Sequence, residues 1–370
     1  MNKGTLIIGG GVIGLAIGWK LLLRGEPVTL LEKGDTGREA SWAAAGMLAP
    51  VGEVHFQEDQ NLRLGMESMR RYPAFVEALE SDAGMKVDYR REGGLSVSLH
   101  PDDTAELRHR FEYQQALELP VRWLRGGEAQ EMEPALSPNV VAAVYSPDDH
   151  QVDNRKLVEA LKAAFLKAGG ALHEQTPVER LVLHENGAPS VLAGNREWRH
   201  QRLLLTAGSW SGMIPGLDGA LRPWVRPVKG QILAIQAAPE TLRHNIRTPD
   251  VYIVPRLDGR LIVGATVEEM GFDRTLTVGG IFELVRGAWR AIPAVYEMPL
   301  AETWCGFRPG SRDNAPIIGE TEIPAFFIAT GHYRNGILNT PVTAEVMSEI
   351  MLGGQPPEFL APFSPLRFTE

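Results

Sequence analysis

The chain has 370 residues and a mass of 40.6 kDa, a length that predicts two domains rather than one or three. Its formal net charge is −9 and its pI is near 5.6, which argues against a nucleic-acid partner, because phosphate binding needs a basic surface. Cys305 is the only cysteine, which excludes an intramolecular disulfide and a cysteine-rich metal site and favours a reducing compartment.

The amino end carries an apolar run from Thr5 to Trp19 that could be taken for a signal peptide. The run is shorter than the roughly 20 apolar residues of a membrane span, and no small-residue cleavage site follows it. Its glycines fit a nucleotide-binding turn better, although the signal peptide stays an alternative. No later stretch is long enough to span a bilayer, so we expect no membrane partner and a cytoplasmic protein.

The first predicted unit is a βαβ fold. The apolar pattern predicts a strand at 5–8, a helix at 12–23 and a second strand at 28–32. Between the first strand and the helix lies Gly9-Gly-Gly-Val-Ile-Gly14, with the spacing G-x-G-x-x-G. These glycines allow a tight turn, the close approach of a pyrophosphate and close packing of helix on strand, while the helix N-terminus attracts phosphate.

Glu32 lies 18 residues after Gly14, at the end of the second predicted strand. A carboxylate at this point can accept hydrogen bonds from both ribose hydroxyls of a dinucleotide. The alternative is an ordinary solvated carboxylate at a strand end. Because the glycine motif follows a strand, opens a helix and is followed by this carboxylate, we predict a dinucleotide site.

A second helix and strand unit begins near residue 150. Asp153 is a predicted N-cap for a helix that Gly169-Gly170 ends. The buried strand predicted at 202–206 runs into Ala207-Gly208, small residues that let a cofactor lie close to the backbone. These features suggest that the nucleotide site is completed by a later part of the chain.

The remaining sequence divides into strand-rich stretches and a carboxyl-terminal unit. Residues 85–150 and 223–304 alternate apolar and polar positions between turn signals, so we expect them to form one antiparallel sheet. A strand at 325–329 leads into a turn, and a helix is predicted after Gly336. That helix would present the positive end of its dipole to an electron-rich group.

Five motifs occur in order along the whole chain: Gly9–Gly14, Ser41-Trp-Ala-Ala-Ala-Gly-Met47, Tyr252-Ile-Val-Pro-Arg256, Gly306-Phe-Arg-Pro-Gly310 and Gly331-His-Tyr-Arg-Asn-Gly336. Together they resemble the glycine oxidases, the thiamine-pathway branch of the D-amino-acid oxidase and sarcosine oxidase flavoprotein family. The resemblance implies non-covalent FAD and oxidative deamination of glycine, sarcosine and small D-amino acids by oxygen. It also implies hydrogen peroxide as a product, and a homotetramer.

The fold implied by the resemblance is α/β (α+β), with a Rossmann-like FAD-binding domain of glutathione-reductase type and an interleaved antiparallel-sheet substrate domain. The predicted FAD-binding domain is discontinuous and comprises residues 1–84, 151–222 and 305–370. The predicted substrate-binding domain comprises residues 85–150 and 223–304.

The resemblance also implies site residues. Arg308 would take the substrate carboxylate, with help from Tyr252 and Arg334. The predicted cofactor contacts are Gly9, Gly11, Val12, Ile13, Gly14, Glu32, Lys33, Ala40, Ser41, Ala45, Gly46, Met47, Val178, Ala207, Gly208, His332, Tyr333, Arg334, Asn335, Gly336, Ile337 and Leu338. Hydride transfer from the α-carbon needs a neutral amine and good orientation but no side-chain acid or base, so we name no catalytic residue. The nine histidines lack metal-ligand spacing, so we predict no metal site.

Alternatives to these substrate roles stay open. Arg308 could form a structural ion pair with Asp313 or Glu302. Tyr252 could be a core residue, and Arg334 could cap a strand or lie in solvent. Three residues carry further questions about cofactor and substrate: Cys305 is the one possible covalent flavin link, while Val267 and Asp250 stand where close relatives carry methionine and histidine.

Two other functions compete with this interpretation. One is a D-amino-acid dehydrogenase that passes electrons to a quinone or carrier instead of oxygen. The other is a flavin-fold subunit that binds a partner and has no chemistry of its own, which the presence of both Arg308 and Tyr252 disfavours.

Overall fold

The computed structural model describes residues 2–54, 56, 58–184, 188–217 and 222–368. The α-helices are α1 (Val12–Leu23), α2 (Ala40–Ala43), α3 (Asp59–Ala83), α4 (Pro101–Ala116), α5 (Gly126–Met132), α6 (Asn154–Lys167), α7 (Val278–Ala291) and α8 (Thr340–Met351). Short 3-10 helices comprise Gly208–Met213, Pro293–Glu297, Tyr333–Asn335, Glu358–Phe363 and Pro365–Phe368.

The strands fall in two large and two small sheets, and we number them in chain order. They are β1 (Asn2–Ile8), β2 (Val28–Leu31), β3 (Met47–Leu48), β4 (Gly94–Ser98), β5 (Arg122–Arg125), β6 (Ala142–Ser146), β7 (His150–Gln151), β8 (Ala171–His173), β9 (Val178–Val182), β10 (Ser190–Ala193), β11 (Arg196–Trp198), β12 (His200–Leu205), β13 (Val225–Gln236), β14 (Asn245–Arg247), β15 (Tyr252–Pro255), β16 (Arg260–Gly264), β17 (Leu300–Ser311), β18 (Ile317–Glu320) and β19 (Phe326–Thr330).

The first large sheet has the order β18-β19-β12-β1-β2-β8 and is parallel except for β18 at its edge. Side chains of its strands alternate between two cores. Ile7, Leu30 and Leu204 pack with residues of α1, α3, α6 and α8, whereas Leu6 and Leu203 pack with the small sheet β11-β10-β9. A sheet covered on both faces explains why its strands are continuous apolar runs in the sequence.

The second large sheet has the order β17-β13-β16-β15-β14-β4-β6-β5 and joins the two strand-rich stretches of the sequence, as predicted. Its pairs are antiparallel except at the junction of the two stretches, where β4 and β14 run parallel, with Leu95 beside Ile246. The prediction of a purely antiparallel sheet was therefore wrong at this junction. Hairpin loops fix strand direction only between sequence neighbours, and these two strands lie far apart in the chain.

The two faces of this second sheet have different surroundings. On one face, Leu233 and Ile253 belong to a core that includes Ala129 of α5 and Leu284 of α7. On the other face, Ile232 and other apolar residues pack with Ala45. The division into FAD-binding and substrate-binding domains stays a prediction, and its proposed boundary at residue 305 lies inside β17.

Helix boundaries follow local chemistry. Asp153 caps α6 as predicted, because its carboxylate accepts hydrogen bonds from the backbone N–H groups of Arg155 and Lys156, at 3.0 and 3.2 Å. The final helix was predicted to start directly after Gly336, but α8 starts at Thr340. Residues 337–339 form turns that follow the 3-10 helix Tyr333–Asn335. A proline in the first turn of α8 fits the start of that helix because the position needs no backbone donor.

None of the helices in the described ranges combines the length and the apolar character that crossing a membrane would require.

Candidate functional site

A cavity of about 630 Å³ lies where the carboxyl ends of β1, β2, β12 and β19 meet the open face of the second sheet. Such a crevice beyond the carboxyl ends of parallel strands is the usual ligand site of α/β folds. From the first sheet it is lined by the turn before α1 and by the segments around Glu32, Ala207 and His332. The second sheet contributes Tyr252 and Arg308.

The glycine turn brings α1 into direct contact with the sheet. A Cβ atom at Gly14 would lie 2.1 Å from the Gly9 carbonyl oxygen and 2.6 Å from Oγ1 of Thr206, so only glycine fits there. Gly9 itself has a φ of +106°, which also favours glycine. The N-terminus of α1 therefore points into the cavity, with no acidic residue in its first turn to compete for an anion.

Glu32 is 8% exposed and lines the cavity, so it is not a solvated strand-end carboxylate. Its Oε2 accepts a hydrogen bond from the Gly10 N–H at 2.7 Å, and its Oε1 accepts one from the Gly34 N–H at 3.1 Å. A carboxylate oxygen has two lone pairs, so each oxygen can still accept a hydroxyl from a ligand. The geometry suits the ribose role predicted for Glu32.

Most of the predicted cofactor residues line this cavity. They are Gly9, Gly11, Val12, Ile13, Glu32, Lys33, Ala40, Ser41, Ala45, Gly46, Met47, Val178, Ala207, Gly208, His332, Tyr333, Arg334, Gly336 and Ile337. Gly14, Asn335 and Leu338 are not among the lining residues. Leu338 lies in the core, where its carbonyl accepts a hydrogen bond from Oγ of Ser68 at 2.6 Å.

His332 is buried, and its Nε2 lies 3.2 Å from Oγ1 of Thr343. Burial lowers the pKa of His332 to about 3, so its imidazole is neutral at physiological pH. A neutral imidazole presents no charge to a bound cofactor. This arrangement gives no support to a role for His332 as a charged catalytic group.

Arg308 lies across the open face of the second sheet. Its guanidinium covers Gly230 of β13, where a Cβ atom would lie 2.5 Å from Nη1. Its Nη1 donates hydrogen bonds to the carbonyls of Thr266 at 3.0 Å and Lys229 at 3.4 Å. Among the residues that the structure describes, no carboxylate forms an ion pair with Arg308, so its charge is open to a ligand.

The structural ion pairs considered for Arg308 are not formed. Asp313 pairs instead with Arg367 at 2.9 Å, and Glu302 pairs with Arg155 at 2.8 Å. A cavity-lining guanidinium without a carboxylate is suited to a planar carboxylate ligand.

Tyr252 extends over Gly264 of the neighbouring strand, where a Cβ atom would lie 2.3 Å from the phenol oxygen. Burial raises the pKa of Tyr252, an effect that the nearby positive charge of Arg308 opposes. The phenol therefore stays protonated and can donate a hydrogen bond beside Arg308. Glycines on β13 and β16 thus make room for both side chains on one face of the sheet.

Arg334 neither caps a strand nor lies free in solvent. Its Nη2 lies 2.6 Å from a carboxylate oxygen of Glu58, and its Nε lies 4.0 Å from Glu53. The guanidinium charge of Arg334 is thus already paired with a carboxylate. Its predicted substrate contact stays a prediction.

The cavity residues that the sequence analysis did not name include Arg247 and Glu53, which form an ion pair. Arg247 ends β14 and lies directly opposite Tyr252 in the β14–β15 register. The signal that could have found it is the spacing, since only residues 248–251 separate Arg247 from Tyr252, as in a hairpin. Arg247 therefore lies on the same sheet face as Tyr252.

The structure also places Val267, Asp250 and Cys305, which the sequence analysis linked to substrate preference and covalent flavin attachment. Val267 lines the cavity and is 66% exposed, while Asp250 lines it and pairs with Arg290 at 2.6 Å. Cys305 is not among the lining residues, and its Sγ contacts the Arg274 carbonyl at 3.3 Å. Burial raises the pKa of Cys305, which disfavours the reactive thiolate.

Residues 5–350 match the family model DAO, described as FAD dependent oxidoreductase. The chain belongs to this family of FAD-dependent oxidoreductases. The glycine turn, the positive end of α1 and the carboxylate of Glu32 are the features that such a dinucleotide needs, so the cavity fits FAD.

Individual relatives agree with this membership. The chain is 34% identical over 361 residues to a glycine oxidase of Geobacillus kaustophilus, covering 97% of this chain and 95% of the relative. It is 36% identical over 372 residues to the bifunctional protein ThiO/ThiG of Synechocystis, covering 98% of this chain but only 54% of that protein. The chain thus spans about half the length of the bifunctional relatives.

Among solved structures, a crystal structure of glycine oxidase from Geobacillus kaustophilus superposes with a TM-score of 0.92. The match covers 99% of both chains at 32% sequence identity. The predicted mixed α/β fold with an FAD-binding part and a sheet-based second part is confirmed.

Proposed function

We propose that the protein catalyses oxidative deamination of glycine and small amines such as sarcosine and small D-amino acids, with non-covalent FAD. The observation that carries this proposal is Arg308, a guanidinium without a carboxylate partner in the described structure, beside Tyr252 in the cavity of an FAD-dependent oxidoreductase. A substrate α-carboxylate supplies the missing anion.

The chain's residues bind and orient the substrate. Arg308 and Tyr252 hold the carboxylate, which fixes the position of the α-carbon and its amine. When bound, FAD supplies the acceptor for the hydride that leaves the α-carbon. The imine product is hydrolysed by water to glyoxylate or another 2-oxo acid, with release of ammonia or an amine. Neither step needs an ionised side chain as acid or base, which agrees with the neutral state of His332.

The names of the relatives support this substrate choice and a place in thiamine biosynthesis. A glycine oxidase matches over nearly the whole chain, and the ThiO/ThiG proteins match in about half of their length. The absence of Cys305 from the cavity lining supports non-covalent binding. The homotetramer and the cytoplasmic location stay predictions.

The electron acceptor is proposed to be oxygen, giving hydrogen peroxide. The alternative is a D-amino-acid dehydrogenase that reduces a quinone or carrier. An oxygen electrode run beside a dye-reduction assay separates the two with glycine, sarcosine, D-alanine and D-proline. Oxygen uptake with matching peroxide supports the oxidase, while dye reduction without oxygen uptake supports the dehydrogenase.

The test of the proposal is the visible spectrum of the purified holoenzyme. We expect a yellow protein whose flavin is bleached by anaerobic glycine or sarcosine and released as FAD by acid. A bound flavin that none of the four amines bleaches would contradict the proposed activity, and flavin left on the denatured chain would contradict non-covalent binding.

A further inference from the structure

The guanidinium of Arg308 is held by two backbone carbonyls. Its Nη1 donates to the carbonyl of Thr266 at 3.0 Å and to that of Lys229 at 3.4 Å. A guanidinium has five N–H donors in one rigid plane, so anchoring Nη1 fixes the direction in which the other donors point. The position of these carbonyls therefore decides how Arg308 faces a substrate carboxylate.

The Thr266 carbonyl lies on an irregular stretch of chain, the 266–277 segment, which joins β16 to α7. The segment bonds to the sheet through Glu268, whose backbone exchanges hydrogen bonds with that of Lys229 at 2.9 and 3.0 Å. Residues 269–271 and 273–277 are exposed. Segments with little buried surface have low local stability, so a fixed Thr266 carbonyl needs further support.

Lys229 lies beneath this segment, on the face of the sheet that is turned away from the cavity. Its side chain is 1% exposed. Successive residues of a strand point to opposite faces, and the neighbouring Gly230 lines the cavity whereas Lys229 is not among the lining residues. Lys229 therefore contacts neither substrate nor cofactor from this position.

The ammonium of Lys229 binds three points of the 266–277 segment. Its Nζ donates to the Thr275 carbonyl at 2.6 Å and lies 3.3 Å from a carboxylate oxygen of Glu268 and 3.8 Å from one of Asp273. An ammonium has three donors, and its burial is costly unless they are paired. Lys229 thus joins both halves of the segment to β13.

Glu268 carries this constraint from Lys229 to Thr266. Its carboxylate accepts hydrogen bonds from Oγ1 of Thr266 and, at 2.7 Å, from Nε2 of Gln231. The Gln231 N–H donates to Oγ1 of Thr266 at 2.8 Å. Burial would raise the pKa of Glu268, but the hydrogen bonds from Thr266 and its other partners lower the pKa, so Glu268 is a carboxylate near neutral pH. Thr266 is fixed through its side chain, and the carbonyl that binds Arg308 is fixed with it.

We propose that Lys229 is a positioning residue for the reaction. Through Glu268 it holds Thr266 in the place where the Thr266 carbonyl keeps the guanidinium of Arg308 directed at the substrate carboxylate. This inference rests on the proposed function, because it takes Arg308 as the residue that binds the carboxylate. A lysine that only stabilises the fold would not act through Arg308, and this difference can be measured.

The test is a double-mutant cycle on FAD-loaded enzyme, with the rate of anaerobic flavin bleaching by sarcosine as the readout. Lys229→Met keeps the length of the side chain and removes the ammonium. We expect it to lower the second-order rate constant by roughly 5-fold to 50-fold in the wild-type background. In the Arg308→Ala background it should lower the rate constant by less than about two-fold, because the group through which Lys229 acts is gone. A loss of equal size in both backgrounds would overturn the proposal.

Ligand binding gives a second readout, which separates the orientation of Arg308 from a general loss of activity. Methoxyacetate has a carboxylate but no amine to oxidise, and flavin absorbance follows its binding to the oxidised holoenzyme. In Lys229→Met we expect the dissociation constant of methoxyacetate and the KM for sarcosine to rise together, kcat to change less, and flavin content to match wild type. Wild-type binding of methoxyacetate with a lowered kcat would contradict a role through Arg308.

Thr266→Val tests the same link without disturbing a buried charge, and it decides the question if Lys229→Met does not fold. The substitution removes the hydroxyl that contacts Glu268 and keeps the backbone. We expect the same pattern, a loss in the wild-type background that disappears in Arg308→Ala. The controls are Glu269→Gln, at the exposed neighbour of Glu268, and Lys86→Met, at an exposed lysine, and both should leave the kinetics unchanged.

The wild-type enzyme separates this inference from the proposed function. Failure of sarcosine, glycine, D-alanine and D-proline to bleach its flavin would remove the function itself. If sarcosine bleaches the wild-type flavin, and folded Lys229→Met or Thr266→Val enzyme is bleached equally fast, only the positioning role is overturned.

Discussion

Arg308 provides the sharpest test at the scale of single residues. We expect Arg308→Ala to lower kcat/KM for glycine by roughly 30-fold to several thousand-fold, because removing one partner of a charge pair costs on the order of 2–5 kcal/mol. Much of the loss should appear in KM, since the carboxylate is present in both ground and transition states. Arg308→Lys should fall between alanine and wild type, because it keeps the charge but loses the bidentate fork.

The control for this series is flavin content, which should match wild type in both variants. Steady-state kinetics with glycine and sarcosine give the numbers. A folded, yellow Arg308→Ala variant with near-wild-type turnover of glycine would remove the central residue of the proposed function.

Glu32 gives a second test at this scale, and its readout is cofactor affinity. Its oxygens already hold Gly10 and Gly34 and face the cavity. Glu32→Gln keeps the shape but replaces an acceptor oxygen with an NH₂ group, so we expect the FAD dissociation constant to rise by roughly 5-fold to 150-fold, corresponding to about 1–3 kcal/mol. Titration of the apoprotein followed by FAD fluorescence measures it. The control is Glu179→Gln, on the exposed side of β9, which should not change the FAD affinity. An unchanged FAD dissociation constant in Glu32→Gln would mean that Glu32 does not bind FAD.

At the scale of elements, sequence patterns predicted best where local chemistry decides the structure. The βαβ unit was predictable because buried parallel strands are continuous apolar runs and Gly14 marks their contact with the helix. The three-residue strand that ends at Arg247 is too short for a periodic signal, and its parallel partner β4 lies far away in sequence. Arg247 was missed for that reason, and Glu53 lies in a turn outside any strand, whereas Arg308 and Tyr252 lie in recognisable motifs.

The packing of α1 on the sheet is an element-scale prediction. Gly14→Ala places a Cβ atom 2.1 Å from the Gly9 carbonyl oxygen, which is backbone and cannot rotate away. We expect this variant to lose about 1–3 kcal/mol or more of the free energy of unfolding and to bind FAD more weakly. Urea unfolding and FAD titration measure the two effects.

Gly127 supplies the matched control, because a Cβ atom there meets nothing within 4 Å. Gly127→Ala in α5 should be neutral or stabilising by about 0.5–1 kcal/mol. If Gly14→Ala behaved like Gly127→Ala, the close contact between α1 and the sheet would not exist in solution.

At the scale of the whole molecule, the cavity is built from parts of the chain that lie more than 300 residues apart, from Gly9 to Ile337. Most predicted cofactor residues reach the cavity because their motifs are backbone turns at strand ends, whose position the fold fixes. The position of the Arg247–Glu53 ion pair relative to Arg308 depends instead on which strands of the second sheet become neighbours. Spacing alone could pair Arg247 with Tyr252 as a hairpin, but no local pattern brings these strands into one sheet with the strand of Arg308, so this arrangement required the structure.

Global stability should depend on pH through Asp149, which is buried and holds the loop that carries Glu53. Its carboxylate accepts hydrogen bonds from the N–H groups of Val51 and Gly52 at 3.2 and 2.9 Å. Burial raises the pKa of Asp149 to about 7, against about 3.9 in the unfolded chain. Between about pH 4 and 7 the folded protein holds a proton that the unfolded chain has released, so this group makes the free energy of unfolding fall as pH rises.

Two histidines act in the opposite direction. Burial lowers the pKa of His332 to about 3 and that of His150 to about 4, so the unfolded chain takes up protons first when the pH falls below about 6.5. Their contributions to stability are therefore lost on acidification, and the wild-type profile is the sum of both trends. A variant is needed to isolate Asp149.

The Asp149→Asn substitution isolates the contribution of Asp149 to the pH dependence of stability, because asparagine resembles the protonated carboxyl and does not titrate. We expect this variant to gain stability relative to wild type as pH rises, by about 1.4 kcal/mol per pH unit between roughly pH 5 and 7, and to show a constant difference above that window. Urea unfolding of FAD-saturated protein from pH 5 to pH 8 measures the difference. Asp148→Asn, its exposed neighbour, should show no such trend, and parallel curves for Asp149→Asn and wild type would mean that Asp149 is ionised throughout.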